Sequence, residues 1–344
     1  MTDKPITPNV PDWAVKGSVA KALWNTPTGN ISDLDIYFKY YAKQCDILAL
    51  HDSGRFTSVK THHDILRIAE LLKGLVRRER VSCRFLDTRS PTAPDSEQDG
   101  RSIDLAGRLL LMVELGSFDH APPLISPPTG CHWNEGTIKE HIDRCFPVNP
   151  ALGHEGAKLG TIFNAPNIER IAGIEILWTD NLADHLRLTN NDKQVAVFHH
   201  ASFLLRQQSD ESLYSQEFLD ETLQTLKLLF PKWDPATRPW YAQKVASRTS
   251  RDLDPKLIQV GHLNTHERQI ENFKYWHDRI VMLKQAFDES EPSSLSQWWI
   301  DRRKRVQWFT FWVAILVLIL TCVFGVVQSI EGGIQAYYTV HQGG

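Results

Sequence analysis

The sequence predicts an α+β protein: a mostly helical cytosolic domain with a small mixed sheet, then a long helix, then one C-terminal transmembrane helix. Three observations carry that prediction. Residues Trp308 to Val327 contain no charge. Apolar residues recur at three- and four-residue intervals in several segments, the period of a helix with one packed face. Between Ile174 and Phe198 the period changes to two, which is that of a strand. The chain has 344 residues and a net charge of −3. Roughly 290 residues precede the membrane-proximal part, enough for one large domain or two small ones.

The apolar stretch WFTFWVAILVLILTCVFGVV is twenty residues long, and thirteen of them are Val, Ile, Leu or Phe. At about 1.5 Å per residue a helix of that length spans about 30 Å, one hydrocarbon core. Each large apolar residue contributes roughly −0.3 to −0.6 kcal/mol to insertion near the helix centre. Before the span lies Asp301-Arg302-Arg303-Lys304-Arg305; after it, Gln328 to Gly344 has no Lys or Arg. Cations flanking a span stay cytoplasmic, so residues 1–307 are expected in the cytosol and the tail on the far side. Arg302, Arg303, Lys304 and Arg305 also suit an anionic lipid surface. Trp298, Trp299, Trp308 and Trp312 fit the near headgroup layer, and Tyr337 and Tyr338 the far one. Thr321, Gly325 and Ser329 give one helix face of small residues.

The N-terminus, MTDKPITPNVPDW, has charge and proline where a signal peptide needs an apolar run, so the layout is that of a tail-anchored protein. Cations and anions are interspersed, which excludes a nucleic-acid-binding surface. The five cysteines (Cys45, Cys83, Cys131, Cys145 and Cys322) are odd in number and irregular in spacing. Reduced thiols are expected, not a disulfide framework. The sequon Asn30-Ile31-Ser32 faces the cytosol on this topology and stays unmodified.

The expected organisation runs from an irregular segment, 1–30, rich in proline, to a cytosolic α+β domain, 31–263. An amphipathic helix covers 264–290, a basic juxtamembrane segment 291–307, the transmembrane helix 308–328 and a short tail 329–344. Within the domain, Ser32 and Asp35 start a helix through about Gln44. Cys45–Leu50 reads as a strand, as does Val81–Leu86. Thr61 caps a helix whose inward face is Ile65, Ile68, Leu72 and Leu75. Thr88 to Gly100 reads as a loop. Ser102 or Asp104 opens a helix ending near Gly116, with a buried strand as the rival reading. A short helix covers Gly136 to Cys145.

Ile174, Ile176 and Trp178 alternate with Glu175 and Leu177 as a strand. Asp180 then caps a short helix through Leu188, Thr189 to Asp192 turn, and Val195 to Phe198 form a second strand. Ser215 opens a helix with Leu219, Leu223, Leu226 and Phe230 inward, stopped by Pro231. Asn264 with Glu267 makes a capping-box start for the last cytosolic helix. Its seam is Phe273, Trp276, Ile280, Leu283 and Phe287, shorter than the roughly three to four heptads of a coiled coil and so packed on its own domain.

Two clusters are candidates for chemistry. Asp180, Asp184, His185, His199 and His200 lie around the predicted strands, and Asp180, His185 and His199 are the candidate catalytic residues. The bland alternative makes Asp180 a helix cap, Asp184 a solvated face residue and the histidines part of the core. Cys131, His132, His141 and Cys145 form the second cluster; His141 and Cys145 share a helix face. No CxxC or HxxxH spacing completes a zinc set, so no metal is expected, with Cys131, His141 and Cys145 nearest to one. Asp33-x-Asp35 and Asp252-x-Asp254 match metal-binding pairs too common to count. His62-His63 is expected to be exposed. There is no phosphate loop, GxSxG, GxGxxG or HExxH, and no cofactor is expected.

Two blocks, NIERIAGIEILWTDNLADHLRLTNNDKQVAVFHHASFL and the stretch from FKYWHDRIVMLKQAF through SQWWIDRRKRVQWFTFW to the end of the span, resemble a family of predicted single-pass membrane proteins of filamentous fungi without an assigned biochemical role. The resemblance covers about the C-terminal half, with an echo in SIDLAGRLLLMVELG. It implies a fungal source and a C-terminal anchor and carries over no catalytic residue. A long helix entering a span also looks like a CorA-type magnesium channel. That family has two spans and a Gly-Met-Asn loop, whereas Phe324-Gly325-Val326 and one span stand here. The first expectation is therefore a non-enzymatic interaction or scaffold domain, binding a protein partner and held on a membrane. A membrane-tethered enzyme or accessory component of a secondary-metabolite pathway is the alternative, and ion transport by an oligomer the second.

Overall fold

The structure, a computed structural model, describes residues 5–6, 11–25, 31–50, 58–81, 96–116, 133–148, 151–153, 158–208, 212–247, 252–290 and 305–342. Two compact units emerge: residues 1–169 with 174–289, and residues 170–173 with 290–344.

Among its described residues the first unit is mostly helical, with one small three-stranded sheet. Helix α1 (Trp13–Trp24) is capped by Asp12, whose side chain accepts from the Val15 amide at 3.0 Å. It lies inside the segment expected to be irregular. The prolines at 5, 8, 11 and 27 flank it without entering it, and Val15, Val19, Ala20 and Leu23 bury one face. Helix α2 (Asp35–Leu50) absorbs Cys45–Leu50, which does not form the expected strand. Tyr37, Phe38, Tyr41 and Cys45 are all buried. That spacing continues the helical stripe, and packing of the stripe overrides the local apolar run. Val81 ends a helical turn, and the rest of the strand expected at Val81–Leu86 lies outside the described residues.

Helix α3 (His62–Lys73) has the expected cap, here a full capping box between Thr61 and Asp64. Its seam stops at Leu72. Leu75 sits beyond the Gly74 cap at φ 53° and is exposed. Helix α4 (Ser96–Leu111) begins six residues before Ser102. The helical reading of this stretch therefore holds over the strand. Ser96 to Gly100, expected in a loop, belong to this helix, and Thr88 to Asp95 lie outside the described residues. Ser102 donates to the Gln98 carbonyl, and Asp104 is held by Arg78 at 2.5 Å. Helix α5 (Ile138–Cys145) follows a capping box of Thr137 and Glu140. Helix α6 spans Ala165–Arg170.

Three strands follow: β1 (Glu175–Thr179), β2 (Arg187–Thr189) and β3 (Gln194–Phe198), in the spatial order β1-β3-β2. β3 runs parallel to β1, with Thr179 opposite Phe198, and antiparallel to β2. Val195 to Phe198 are all buried, as befits a central strand covered on both faces. Asn190, Asn191 and Asp192 turn β2 into β3 with positive φ, a conformation their short polar side chains tolerate. The helix expected from Asn181 to Leu188 shrinks to one 3-10 turn, Leu182–Asp184, capped by Asn181. Arg187 to Thr189 gain a ladder on β3 that outweighs their helical pattern.

Helix α7 spans Ala201–Gln207, and α8 (Gln216–Leu229) starts at the expected Ser215 cap. Helix α9 (Thr237–Ala246) went unforeseen among the prolines. Pro239 sits in its first turn, where a missing N–H costs nothing. Asp234 closes that turn, accepting from the Thr237 amide and hydroxyl.

Helix α10 (His277–Glu289) is half the length expected from Asn264. The Asn264 amide does bond Glu267 at 2.6 Å, but a 3-10 turn at Ile270–Asn272 follows, and Phe273 is extended. The cap that starts α10 comes from another element. The Glu221 carboxylate on α8 accepts from the Lys274, Tyr275 and Trp276 amides at 2.8, 2.9 and 2.8 Å. Phe273, Trp276, Ile280, Leu283 and Phe287 are buried in their own unit.

In the second unit one helix dominates, α11 (Arg305–Gln342). Trp308–Tyr337 is long and apolar enough to cross a membrane, and none of its apolar window is buried. The helix runs through most of the segment expected to be a short tail. Arg302, Arg303 and Lys304 lie outside the described residues, and Arg305 opens the helix.

Candidate functional site

The parallel pairing of β1 and β3 builds the site. Since Thr179 and Phe198 are in register, the residues that follow them, Asp180 and His199, leave the same end of the sheet together. His200 comes next, at the entry to α7. Ligands in parallel sheets bind outside the carboxyl ends of strands, and this is such an edge. The Asn181 side chain fixes the turn after β1. Its oxygen accepts from the Glu114 and Ala183 amides at 3.0 and 3.2 Å, and its nitrogen donates to Asp184 at 2.8 Å. With capping done by Asn181, the Asp180 carboxylate is free to face the histidines.

Asp180 Oδ1 lies 2.8 Å from His200 Nε2 and 3.4 Å from His199 Nε2. The two imidazoles stack with centroids 4.0 Å apart. Their side chains are 7% and 2% exposed, while Asp180 is 31% exposed and joins the cluster to solvent. Lys43 of α2 reaches the other oxygen, Oδ2, at 3.1 Å. Tyr40 and Trp178 wall the cluster, each ring 6.1 Å from a histidine. The Nδ1 atoms of His199 and His200 are buried and have no hydrogen-bond partner among the described residues.

Burial alone would raise the Asp180 carboxyl, but hydrogen bonds from both histidines outweigh it and hold the group well below the carboxylate range. Burial lowers His200 to about 4, and neighbouring His199 adds to that, while Asp180 opposes it. At neutral pH the site is thus an anionic carboxylate next to a neutral His200. Such a set can take a proton from a bound group or share a cation among three ligands.

The other candidates separate from this site. His185, expected to join it, is a core histidine. Its Nε2 lies 2.7 Å from Thr225 Oγ1, and its Nδ1 accepts from the Phe198 amide at 3.2 Å. Thr225 donates its own proton to the Thr222 carbonyl, so the Nε2 of His185 must carry the hydrogen. Asp184 is buried and pairs with Arg187 at 2.9 Å instead of solvating a helix face. His200 takes the place that the sequence suggested for His185. The adjacent His199-His200 pair, next in line after an apolar strand, was the available signal.

His141 and Cys145 meet as their spacing implies, with Sγ 3.3 Å from Nε2, but supply only two ligands. Cys131 and His132 lie outside the described residues. His62 is buried against the Tyr41 hydroxyl at 2.9 Å, contrary to the exposure expected of it. The Asp-x-Asp pairs disperse. Asp33 bonds Lys256, Asp35 bonds Lys16 and Asp252 bonds Lys39, while Asp254 is buried on Ser202. A surface groove of about 520 Å³, lined by Arg77, Glu79, Glu140, Asp143 and Arg144, shares no residue with the Asp180 cluster.

The chain matches no protein-family model, and no similar curated protein or solved structure was found.

Proposed function

We propose that this chain is a single-pass membrane protein whose helical domain is held at the cytosolic face of a bilayer, where it serves as an interaction or scaffold module. The observation that carries this reading is the exposed apolar helix of Trp308–Tyr337. A helix with Leu318, Phe324 and Val326 open to the surroundings is costly in water and stable in lipid. At about 1.5 Å per residue, Trp308 to Val327 crosses about 30 Å, and Glu331 falls just beyond the hydrocarbon. Tyr337 then lies about 43 Å from Trp308 along the helix, at the depth of the far headgroups. The basic run Arg302 to Arg305 supports the cytosolic side for the large domain, and anionic lipid as its near partner.

Resistance to alkaline carbonate extraction, together with digestion of the large N-terminal part by protease outside sealed vesicles, is the expected result. Release by carbonate, or protection of the domain, would overturn the reading. Leu318→Arg places a cation mid-span at a cost of about 2.5–3.5 kcal/mol and should lower the membrane-inserted fraction.

A further inference from the structure

The geometry points to a mononuclear site for a divalent first-row transition ion, zinc being the reference case, held by Asp180 Oδ1 and the Nε2 atoms of His199 and His200. Nothing in this inference depends on the membrane anchor.

Three ligand atoms of the right kinds converge, all within 4.8 Å of one another. Zinc bonds imidazole nitrogen and carboxylate oxygen at about 2.0–2.2 Å, which places neighbouring tetrahedral ligands about 3.3–3.4 Å apart. The His199 to Asp180 separation of 3.4 Å already fits. The His200 separation of 2.8 Å must open by about half an ångström, within reach of a small rotation of the partly exposed Asp180 side chain.

The three ligands also have the burial that an open metal site needs. The imidazoles are almost fully enclosed, and the carboxylate faces water. Three protein ligands with a solvent position make a tetrahedral centre that keeps one site for water or substrate. Two imidazoles select transition ions over magnesium and calcium, which prefer all-oxygen shells.

With each Nε2 on the ion, the ring hydrogen sits on Nδ1. The two Nδ1 atoms have no outer acceptor among the described residues. Outer partners are worth about 10–100-fold in affinity, so binding should fall short of a fully supported zinc site by that order. Lys43 is the second restraint. Its ammonium sits 3.1 Å from Asp180 Oδ2 on a side chain that is 65% exposed, and it repels an arriving cation while leaving the Oδ1 side open.

The test uses the full-length chain in detergent micelles, stripped with a chelator and titrated with Zn²⁺ and Co²⁺. One equivalent of metal per chain is expected by elemental analysis, with a raised Tm and a visible d–d band for Co²⁺. Excess Mg²⁺ should not displace either ion. His199→Gln and His200→Gln should each abolish the band, and Cys145→Ser should leave it intact. Lys43→Met should tighten Zn²⁺ binding about three- to tenfold by removing a nearby positive charge. Lys43 is exposed, so that variant decides the matter even where a histidine variant fails to fold. Absence of bound metal, binding that survives both histidine variants, or an affinity unmoved by Lys43→Met would each overturn the assignment.

Discussion

His185 and Glu221 show how buried polar side chains hold this domain together. His185 is fully enclosed and neutral, receiving the Phe198 amide and donating to Thr225. Burial lowers it to about 3, and Arg279 contributes in the same direction. Its folded value lies below the unfolded one of about 6.5, so the unfolded chain binds a proton first as pH falls. The stability it supports is complete above about pH 6.5 and is lost progressively below that. Between pH 7 and pH 5 the protein should lose about 2 kcal/mol through this side chain. Unfolding free energies from urea titrations at the two pH values should differ by that much more in the native chain than in His185→Gln.

Glu221 accepts three backbone amides at the start of α10. Removing it leaves those donors without a partner, so Glu221→Ala should cost about 2–4 kcal/mol in a denaturant titration, and Glu221→Gln less. An unchanged midpoint for Glu221→Ala would show that water replaces the carboxylate.

The ends of secondary-structure elements are decided by different kinds of contact, and this explains which were legible. Thr61 with Asp64, and Ser215, are local caps, and each starts a helix where its spacing says. The Asn264–Glu267 pair has the same chemistry, yet no α-helix grows from it. There the long-range cap from Glu221 fixes the start at His277 instead. In the same way, Arg187 to Thr189 read as helix until β3 offers them hydrogen bonds.

The turn that follows α4 is closely packed at Gly116. Gly116 has φ +77°, and a Cβ there would collide with the carboxylate of Asp104, the group that pairs with Arg78. Gly116→Ala therefore meets both backbone strain and a collision. About 2–3 kcal/mol of destabilisation is expected in thermal or urea unfolding. A stability within a few tenths of the native value would mean that the turn readily relaxes.

For the chain as a whole, the proposed anchor makes solubility the sharpest observable. Truncation after about residue 295 should release a soluble domain, because the exposed apolar surface of α11 goes with the cut. Persistence of the truncated chain in the membrane fraction would reveal a second lipid-binding element. The apolar C-terminal helix needed only a twenty-residue charge-free run to be recognised, since hydrocarbon length and side-chain transfer energies are properties of a segment by itself. The same holds for the central strands, where a period of two and a run of buried apolar residues suffice. Asp180, His199 and His200 are different. Nineteen positions separate the aspartate from the nearer histidine, and only the parallel register of Thr179 with Phe198 sets them side by side. Local chemistry fixes elements that can be satisfied within a few residues. The meeting of these three side chains, and the removal of His185 from them, came from pairing and packing among distant segments, which no short window of sequence encodes.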